Sequence, residues 1–186
     1  MKRIFLILIC LLYLSGCSSG QEPIDVAHKL RSDILHSSSC LFNAHITADY
    51  GDELYEFDMQ CEFDQLGNLM FSIKKPDSIA GITGRIDAKE GAFTFDDQVL
   101  AFKKITDGQL TPVTAPWVLM QAVRGGYISA CGKDKDGYHI QLDESYEENP
   151  LTLDLWINHN MEISRGELLW DGRRILSIDV TDYKLQ

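Results

Sequence analysis

Residues 40–63 read CLFNAHITADYGDELYEFDMQCEF, and their alternation decides the fold class. On both sides of Gly51, every second residue is apolar or small, and the residues between are mostly polar or acidic. A period of two with one apolar and one polar face is typical of half-buried antiparallel strands. The stretch therefore predicts a β-hairpin whose apolar face lies against a core.

The register of this hairpin follows from its turn. A two-residue turn at 51–52 places Phe42 opposite Cys61 and Cys40 opposite Phe63. Residues paired this way share one face of the two strands.

The cysteines Cys40, Cys61 and Cys131 lie beyond the N-terminal segment. In the two-residue register Cys40 and Cys61 are diagonal neighbours, about 7–8 Å apart, whereas a disulfide prefers Cα atoms about 4.4–6.8 Å apart. A bulge or a longer turn would align them. We predict a Cys40–Cys61 disulfide with Cys131 as a free buried thiol; the alternative is three inert buried thiols.

Short strands separated by turn signals continue to the end of the chain. Neighbours joined by short connections pair antiparallel. The sequence therefore predicts a mainly β (α+β) domain with about eleven antiparallel strands. Besides the hairpin, they are expected at 69–73, 79–88, 92–96, 99–105, 127–131, 138–142, 151–158, 162–170 and 173–182.

Two helices interrupt the strand pattern. Pro23–His36 has an apolar stripe at Ile24, Ala27, Leu30 and Ile34, with proline in the first turn. The second helix, 114–125, is apolar nearly all round. A helix of that kind must be buried, and a sheet whose apolar face curls around it would bury it.

The N-terminus has the features of an export signal. Lys2 and Arg3 precede an eleven-residue apolar run, Ile4 to Leu14, which is shorter than the roughly 20 residues of a membrane span. The following Leu-Ser-Gly-Cys ends at Cys17 and resembles the bacterial lipobox. That resemblance implies that residues 1–16 form a lipoprotein signal peptide and that Cys17 carries a diacylglyceryl group.

The lipid implies an extracytoplasmic location. Two acyl chains give stable anchoring, so residues 17–22 form a lipidated tether and 23–186 the folded domain. The protein is expected on the outer face of the cell membrane, or on the outer membrane if the host is Gram-negative. The partner implied at Cys17 is thus the membrane itself.

Composition and motifs exclude several functions. The formal net charge is −11, and an acidic surface repels nucleic-acid phosphates. No nucleophile lies next to a base, and the histidines and cysteines lack metal-ligand spacing. We therefore expect no catalytic residue, no metal, no cofactor, no nucleic-acid partner and no enzyme activity.

The order of elements resembles the LolA/LolB-like lipoprotein-carrier superfamily. It implies a half-open antiparallel β-barrel of about eleven strands, an N-terminal helix and an apolar lid or plug helix, with a cavity for acyl chains. Gly67–Phe71 and Arg173–Leu176 also resemble stretches of an uncharacterised group of exported lipoproteins from Gram-positive, Clostridia-like bacteria. That group implies no activity.

Two functional interpretations follow. In the first, the domain binds a lipid or a lipoprotein acyl chain in a cavity between the sheet and the lid helix. In the second, the same side chains fill a solid core, and the protein is a non-enzymatic envelope scaffold that binds another envelope protein. The predicted cavity and lid residues are Phe42, Ile46, Tyr55, Phe57, Phe71, Trp117, Leu119 and Met120.

Overall fold

A computed structural model describes residues 22–51, 53–89, 91–95, 98–102, 105–106, 109–143 and 151–186. The predicted signal peptide, the lipidation site Cys17 and nearly all of the tether lie outside the described residues. Within the described part of the chain, no helix is long and apolar enough to cross a membrane.

Helix α1 spans Pro23–His36, the predicted bounds, with the proline in its first turn. The buried residues are Val26, Ala27, Leu30 and Ile34. The predicted stripe was wrong at Ile24, which is 42% exposed. Positions 26, 27, 30 and 34 follow the 3.6-residue helical period. The predicted stripe reached Ile24 by repeated steps of three residues, which rotate away from the buried face.

An open antiparallel sheet of eleven strands forms the body of the molecule, as predicted. Its order is β6-β5-β4-β3-β2-β1-β13-β12-β11-β10-β9, and β7 and β8 form a separate two-stranded sheet. In the eleven-stranded sheet, β1 pairs with β13, which lies near the opposite end of the chain. All other neighbouring strands in that sheet are consecutive in the sequence. The strands are β1 (Ser39–Asp49), β2 (Leu54–Asp64), β3 (Leu69–Lys75), β4 (Thr83–Ile86), β5 (Gly91–Phe95), β6 (Gln98–Phe102), β7 (Ile105–Thr106), β8 (Gln109–Leu110), β9 (Tyr127–Asp134), β10 (Gly137–Asp143), β11 (Leu151–Asn158), β12 (Ile163–Trp170) and β13 (Arg173–Leu185).

One predicted strand is much shorter in the structure. The pattern at 79–88 predicted a continuous strand, but turns occupy the segment before Thr83 and only β4 is extended. Gly81 has a φ of +89°, a left-handed conformation that leaves the β region and ends any strand there.

The central hairpin has the predicted register. Phe42 pairs with Cys61, and Cys40 pairs with Phe63, in a ladder without a bulge. The predicted disulfide was wrong: Cys40, Cys61 and Cys131 are all free thiols. Because the ladder is uninterrupted, Cys40 and Cys61 stay diagonal, at a separation that a disulfide does not span. Cys131 is only partly buried.

Helix α2 spans Ala115–Gly125 after a short 3-10 turn at Pro112–Thr114. It contacts α1 and the strands β2, β13 and β10. In the sheet order β2 and β10 are five intervals apart, which is about 24 Å across a flat sheet, whereas eleven helical residues are about 16 Å long. The sheet therefore curls around the helix and forms a half-open barrel.

Candidate functional site: the interface between helix α2 and the sheet

Five of the eight predicted cavity and lid residues lie in the centre of the core. Phe42, Ile46 and Phe71 on the sheet, and Leu119 and Met120 on helix α2, are each less than 5% exposed. They belong to one continuous apolar cluster that also includes the buried face of α1. The structure therefore brings these residues together, and in this state their side chains fill the space between helix and sheet.

Helix α2 approaches the sheet closely at Gly166 on β12. A Cβ added there would lie 2.7 Å from Leu119 Cδ1 and 3.5 Å from Leu153 Cδ1. A larger residue at that point would force the leucine side chain to shift. Helix α2 is therefore seated directly on the sheet, and Leu119 is the residue that seats it.

Three predicted residues lie further out. Trp117 and Phe57 are partly buried and pack against the core, while Tyr55 is 40% exposed. The prediction that Tyr55 lines the interior was therefore wrong. It is the second residue of β2, with its ring 6.3 Å from that of Tyr50 and 6.5 Å from that of Phe57.

Polar contacts attach one edge of helix α2 to the β2–β3 turn. The Gly67 carbonyl accepts hydrogen bonds from Trp117 Nε1 (3.0 Å) and Gln121 Nε2 (2.8 Å). Arg124 Nη2 donates to the Gln65 carbonyl at 3.0 Å. We call this set of contacts the latch.

The backbone of the turn is specific to its sequence. Gly67 is buried at a φ of +89°, and a Cβ there would lie 2.5 Å from Arg124 Nη1 and 2.9 Å from Gln121 Nε2. The Asp64 carboxylate accepts bonds from the Asn68 backbone (2.9 Å) and side chain (2.7 Å). Burial alone would raise the pKa of Asp64, but the hydrogen bonds lower it below its usual value.

Arg31 on α1 holds the end of helix α2. Its Nε donates to the Val123 carbonyl at 2.7 Å and its Nη2 to the Gly126 carbonyl at 2.6 Å. The last carbonyls of a helix lack intrahelical partners and carry partial negative charge. A guanidinium at that position both satisfies and neutralises them. Thr114, which precedes the helix, makes no side-chain cap; its hydroxyl donates to the Thr111 carbonyl instead.

Surface grooves lie on the part of the molecule that the structure describes, and one of them borders helix α2. The outer groove, of about 730 Å³, lies on the uncovered face of β1–β5 and includes Leu41 and Met70. The end groove, of about 600 Å³, lies beside the last turn of α2 and includes Leu35, Leu66 and Arg124.

The third groove, of about 360 Å³, lies beside an ion-paired histidine on the outer face. His45 Nδ1 is 2.6 Å from Asp58 Oδ1, and Lys75 Nζ is 3.1 Å from Asp58 Oδ2. The hydrogen bond from His45, with support from Lys75, lowers the pKa of Asp58. Among the described residues, no group of three or more His, Cys, Asp or Glu side chains is placed to hold a metal ion.

The latch and the Arg31 contacts were missed by the sequence reasoning. Arg31 meets carbonyls that are 92 and 95 residues away in the chain, and no local pattern reports such a contact. Gly67 carried a weak signal, since Asp64 and Gly67 flank a short turn between two strands. That signal predicts the turn but not its partner.

No family model and no curated protein matches this sequence. Solved structures with a similar backbone do exist. An uncharacterized conserved protein from Thermus thermophilus matches with a TM-score of 0.50 and 13% identity, over 89% of this chain and 88% of that one. A LolA superfamily protein from Nitrosomonas europaea matches with a TM-score of 0.44 and 12% identity, over 90% and 94%.

A third similar structure is the lipoprotein LppX from Mycobacterium tuberculosis. It has a TM-score of 0.41 and 8% identity, over 87% of this chain and 96% of that one. The neighbours thus include LolA-superfamily and lipoprotein structures. At such identities a likeness shows the fold alone, and the function rests on this chain's own residues.

Proposed function

We propose that the protein is a lipid-anchored extracytoplasmic lipoprotein that binds a hydrophobic ligand between the sheet and helix α2. The ligand is a lipid or the acyl chain of a lipoprotein, and the described structure, with helix and sheet in contact, is the closed state. The observation that carries the proposal is an apolar helix laid on the inner face of an unclosed sheet, with one edge attached by polar contacts to a single turn.

The polar latch supports opening of the helix. Hydrogen bonds to carbonyls can be exchanged for bonds to water at little net cost, whereas separating two apolar faces costs free energy in proportion to area. An acyl chain offsets that second cost, because each buried methylene contributes about 0.8 kcal/mol. Met59 and Met120, both buried, are adaptable side chains that can repack around a ligand.

The anchor at Cys17 belongs to the same proposal. The lipobox-like LSGC segment and the preceding apolar run support it, and so does the resemblance to exported lipoproteins of Gram-positive, Clostridia-like bacteria. The proposal involves no catalytic step and no cofactor. The binding partner is the hydrophobic ligand, and the membrane is reached through the diacylglyceryl group.

A second candidate function is favoured by the packing at Gly166. Leu119 packs closely against this glycine. Such close packing is equally consistent with a core that is permanently filled by its own side chains. In that case the protein is a non-enzymatic envelope scaffold, and its partner is another envelope protein that contacts the outer surface.

Native mass spectrometry with lipid extraction separates the two functions. Residues 17–186 carrying Cys17→Ser are exported from a related host and purified without detergent. The carrier function predicts a stoichiometric lipid that is lost on Trp117→Glu, which puts a charge where the acyl chain would pack, and retained on Trp170→Glu, a matched change at an exposed tryptophan. A lipid-free mass, with no uptake of added lipid by the folded protein, contradicts it and favours the scaffold.

A further inference from the structure

The end groove combines apolar walls with positive charge. Leu35 is 41% exposed and Leu66 is 86% exposed, so both present apolar surface to solvent beside the lid helix. Lys89 and Arg124 line the same groove, with Asp87 as its only carboxylate among the lining residues that the structure describes. The chain as a whole has 28 acidic and 17 basic residues, so a locally cationic groove runs against the composition.

Arg124 differs from the ion-paired arginines of the described residues. Arg165, Arg173 and Arg174 each lie within 4 Å of a carboxylate oxygen. In the part of the chain that the structure describes, Arg124 has no carboxylate partner. It contacts the Gln65 carbonyl at 3.0 Å and the Phe63 ring, whose centroid is 5.5 Å from Cζ. Its charge is therefore not neutralised within the described protein.

These contacts orient the Arg124 guanidinium. The ring lies against one face, and the Gly67 backbone lies against an edge. A guanidinium has five N–H donors in a planar fork, and the described contacts use one of them. A donor group that is already oriented binds an anion with less loss of side-chain freedom, and planar donors match phosphate and carboxylate oxygens.

We propose that the end groove binds the anionic headgroup, a phosphate or a carboxylate, of an amphiphile whose acyl chain enters beneath helix α2. This inference rests on the proposed function and names its ligand class. The apolar walls at Leu35 and Leu66 receive the first methylenes, and Arg124 with Lys89 contacts the anion. The occupant is thus an anionic lipid rather than a neutral one.

The test compares probes with one chain and different headgroups. Residues 17–186 with Cys17→Ser are titrated calorimetrically with dodecyl phosphate, with dodecyl maltoside and with inorganic phosphate, below micelle-forming concentrations. We expect dodecyl phosphate to bind about tenfold more tightly than dodecyl maltoside, the change expected from one charge-assisted hydrogen bond.

Substitutions test whether the preference for dodecyl phosphate over dodecyl maltoside arises in the end groove. Lys89→Gln should remove most of this preference and leave dodecyl maltoside binding unchanged. Arg124→Gln also alters the latch, so its readout is the ratio of the two dodecyl affinities, which should fall toward one. Lys89 is not one of the latch residues, so Lys89→Gln tests charge without touching the latch. Lys135→Gln, in the exposed β9–β10 turn, is the matched control and should change nothing.

The results that would contradict this proposal can be told apart from those that would contradict the proposed function. Equal affinity for both dodecyl probes, unchanged in Arg124→Gln, overturns the headgroup site and leaves the proposed function standing. If inorganic phosphate binds by itself, and Arg124→Gln weakens that binding, the anion is not a lipid headgroup. The end groove is then a site for free phosphate. If neither dodecyl probe binds, the proposed function itself fails.

Discussion

At the scale of single residues, Gly67 is the position on which the latch depends. It has the same φ, +89°, as Gly81, but a Cβ at Gly67 would press on Arg124 and Gln121, whereas a Cβ at Gly81 meets nothing within 4 Å. A non-glycine residue in the left-handed region costs about 1–3 kcal/mol. Comparing alanine substitutions at the two glycines therefore separates the cost of backbone strain from the cost of losing the latch contacts.

Gly67→Ala should destabilise the protein more than Gly81→Ala does. Both changes carry the strain, but Gly67→Ala also displaces side chains that donate to the turn, each bond contributing about 1 kcal/mol. Urea denaturation followed by circular dichroism gives the two free energies of unfolding. Equal losses in the two variants would mean that the latch contributes nothing to the closed state.

The free thiols give a second prediction at this scale. Burial raises the pKa of Cys40 to about 12 and also raises that of Cys61. At about pH 8, far below those values, both are protonated and unreactive, while the partly buried Cys131 is accessible to reagent. Iodoacetamide should therefore label Cys131 first in natively folded residues 17–186 carrying Cys17→Ser, and peptide mass spectrometry measures the order of labelling.

The same protein, unfolded without reductant, should titrate as three thiols. A single thiol would establish a Cys40–Cys61 disulfide after all and would require the hairpin register to shift.

Sequence reasoning reached part of this residue-scale picture. The pairing of Phe42 with Cys61 was predictable, because a two-residue turn fixes the register of every pair above it. The exposure of Tyr55 was not. Alternation tells which face a side chain occupies, but how far along a strand that face stays covered depends on the length and position of the helix above it.

At the scale of elements, helix α2 is held at its carboxyl end by α1. Arg31 donates to two of the last carbonyls of α2 from a half-buried position. On the opposite side of α1, the Lys29–Asp33 pair is exposed, with Lys29 at 50% side-chain exposure. Helix α1 therefore carries one cation that contacts α2, Arg31, and one on the surface, Lys29, which serves as its matched control.

Arg31→Gln should lower the free energy of unfolding by about 1–3 kcal/mol, because hydrogen bonds from charged donors are the stronger kind and two carbonyls lose theirs. Lys29→Gln should change it by less than about 0.5 kcal/mol, as expected for an exposed i,i+4 pair. Thermal and urea unfolding measure both. Similar losses in the two variants would show that α2 does not depend on α1 for its position.

The bounds of α1 were predictable because Pro23 and the three serines at 37–39 mark its ends. Its buried face was predicted with one error, since Ile24 and Val26 both fit a loose apolar stripe and only packing decides between them. The contact between Arg31 and α2 joins distant segments, and no periodicity contains that information.

At the scale of the whole molecule, the open sheet and the buried helix followed from the alternating strand pattern and from one segment that is apolar nearly all round. Whether their interface is a ligand site does not follow from any pattern. It depends on how closely Leu119 meets Gly166, a distance set by the full packing of helix and sheet. The central claim is therefore that this contact separates to admit a hydrophobic chain.

Photo-crosslinking with a palmitate that carries a mid-chain diazirine tests this claim most directly. Residues 17–186 carrying Cys17→Ser are irradiated with the probe, digested and mapped by mass spectrometry. The prediction is saturable labelling on α2 and on the strands that face it, at Leu119, Met120 or Ile46. Labelling confined to Leu41 and Met70 in the outer groove, or none at all in the folded protein, would contradict it.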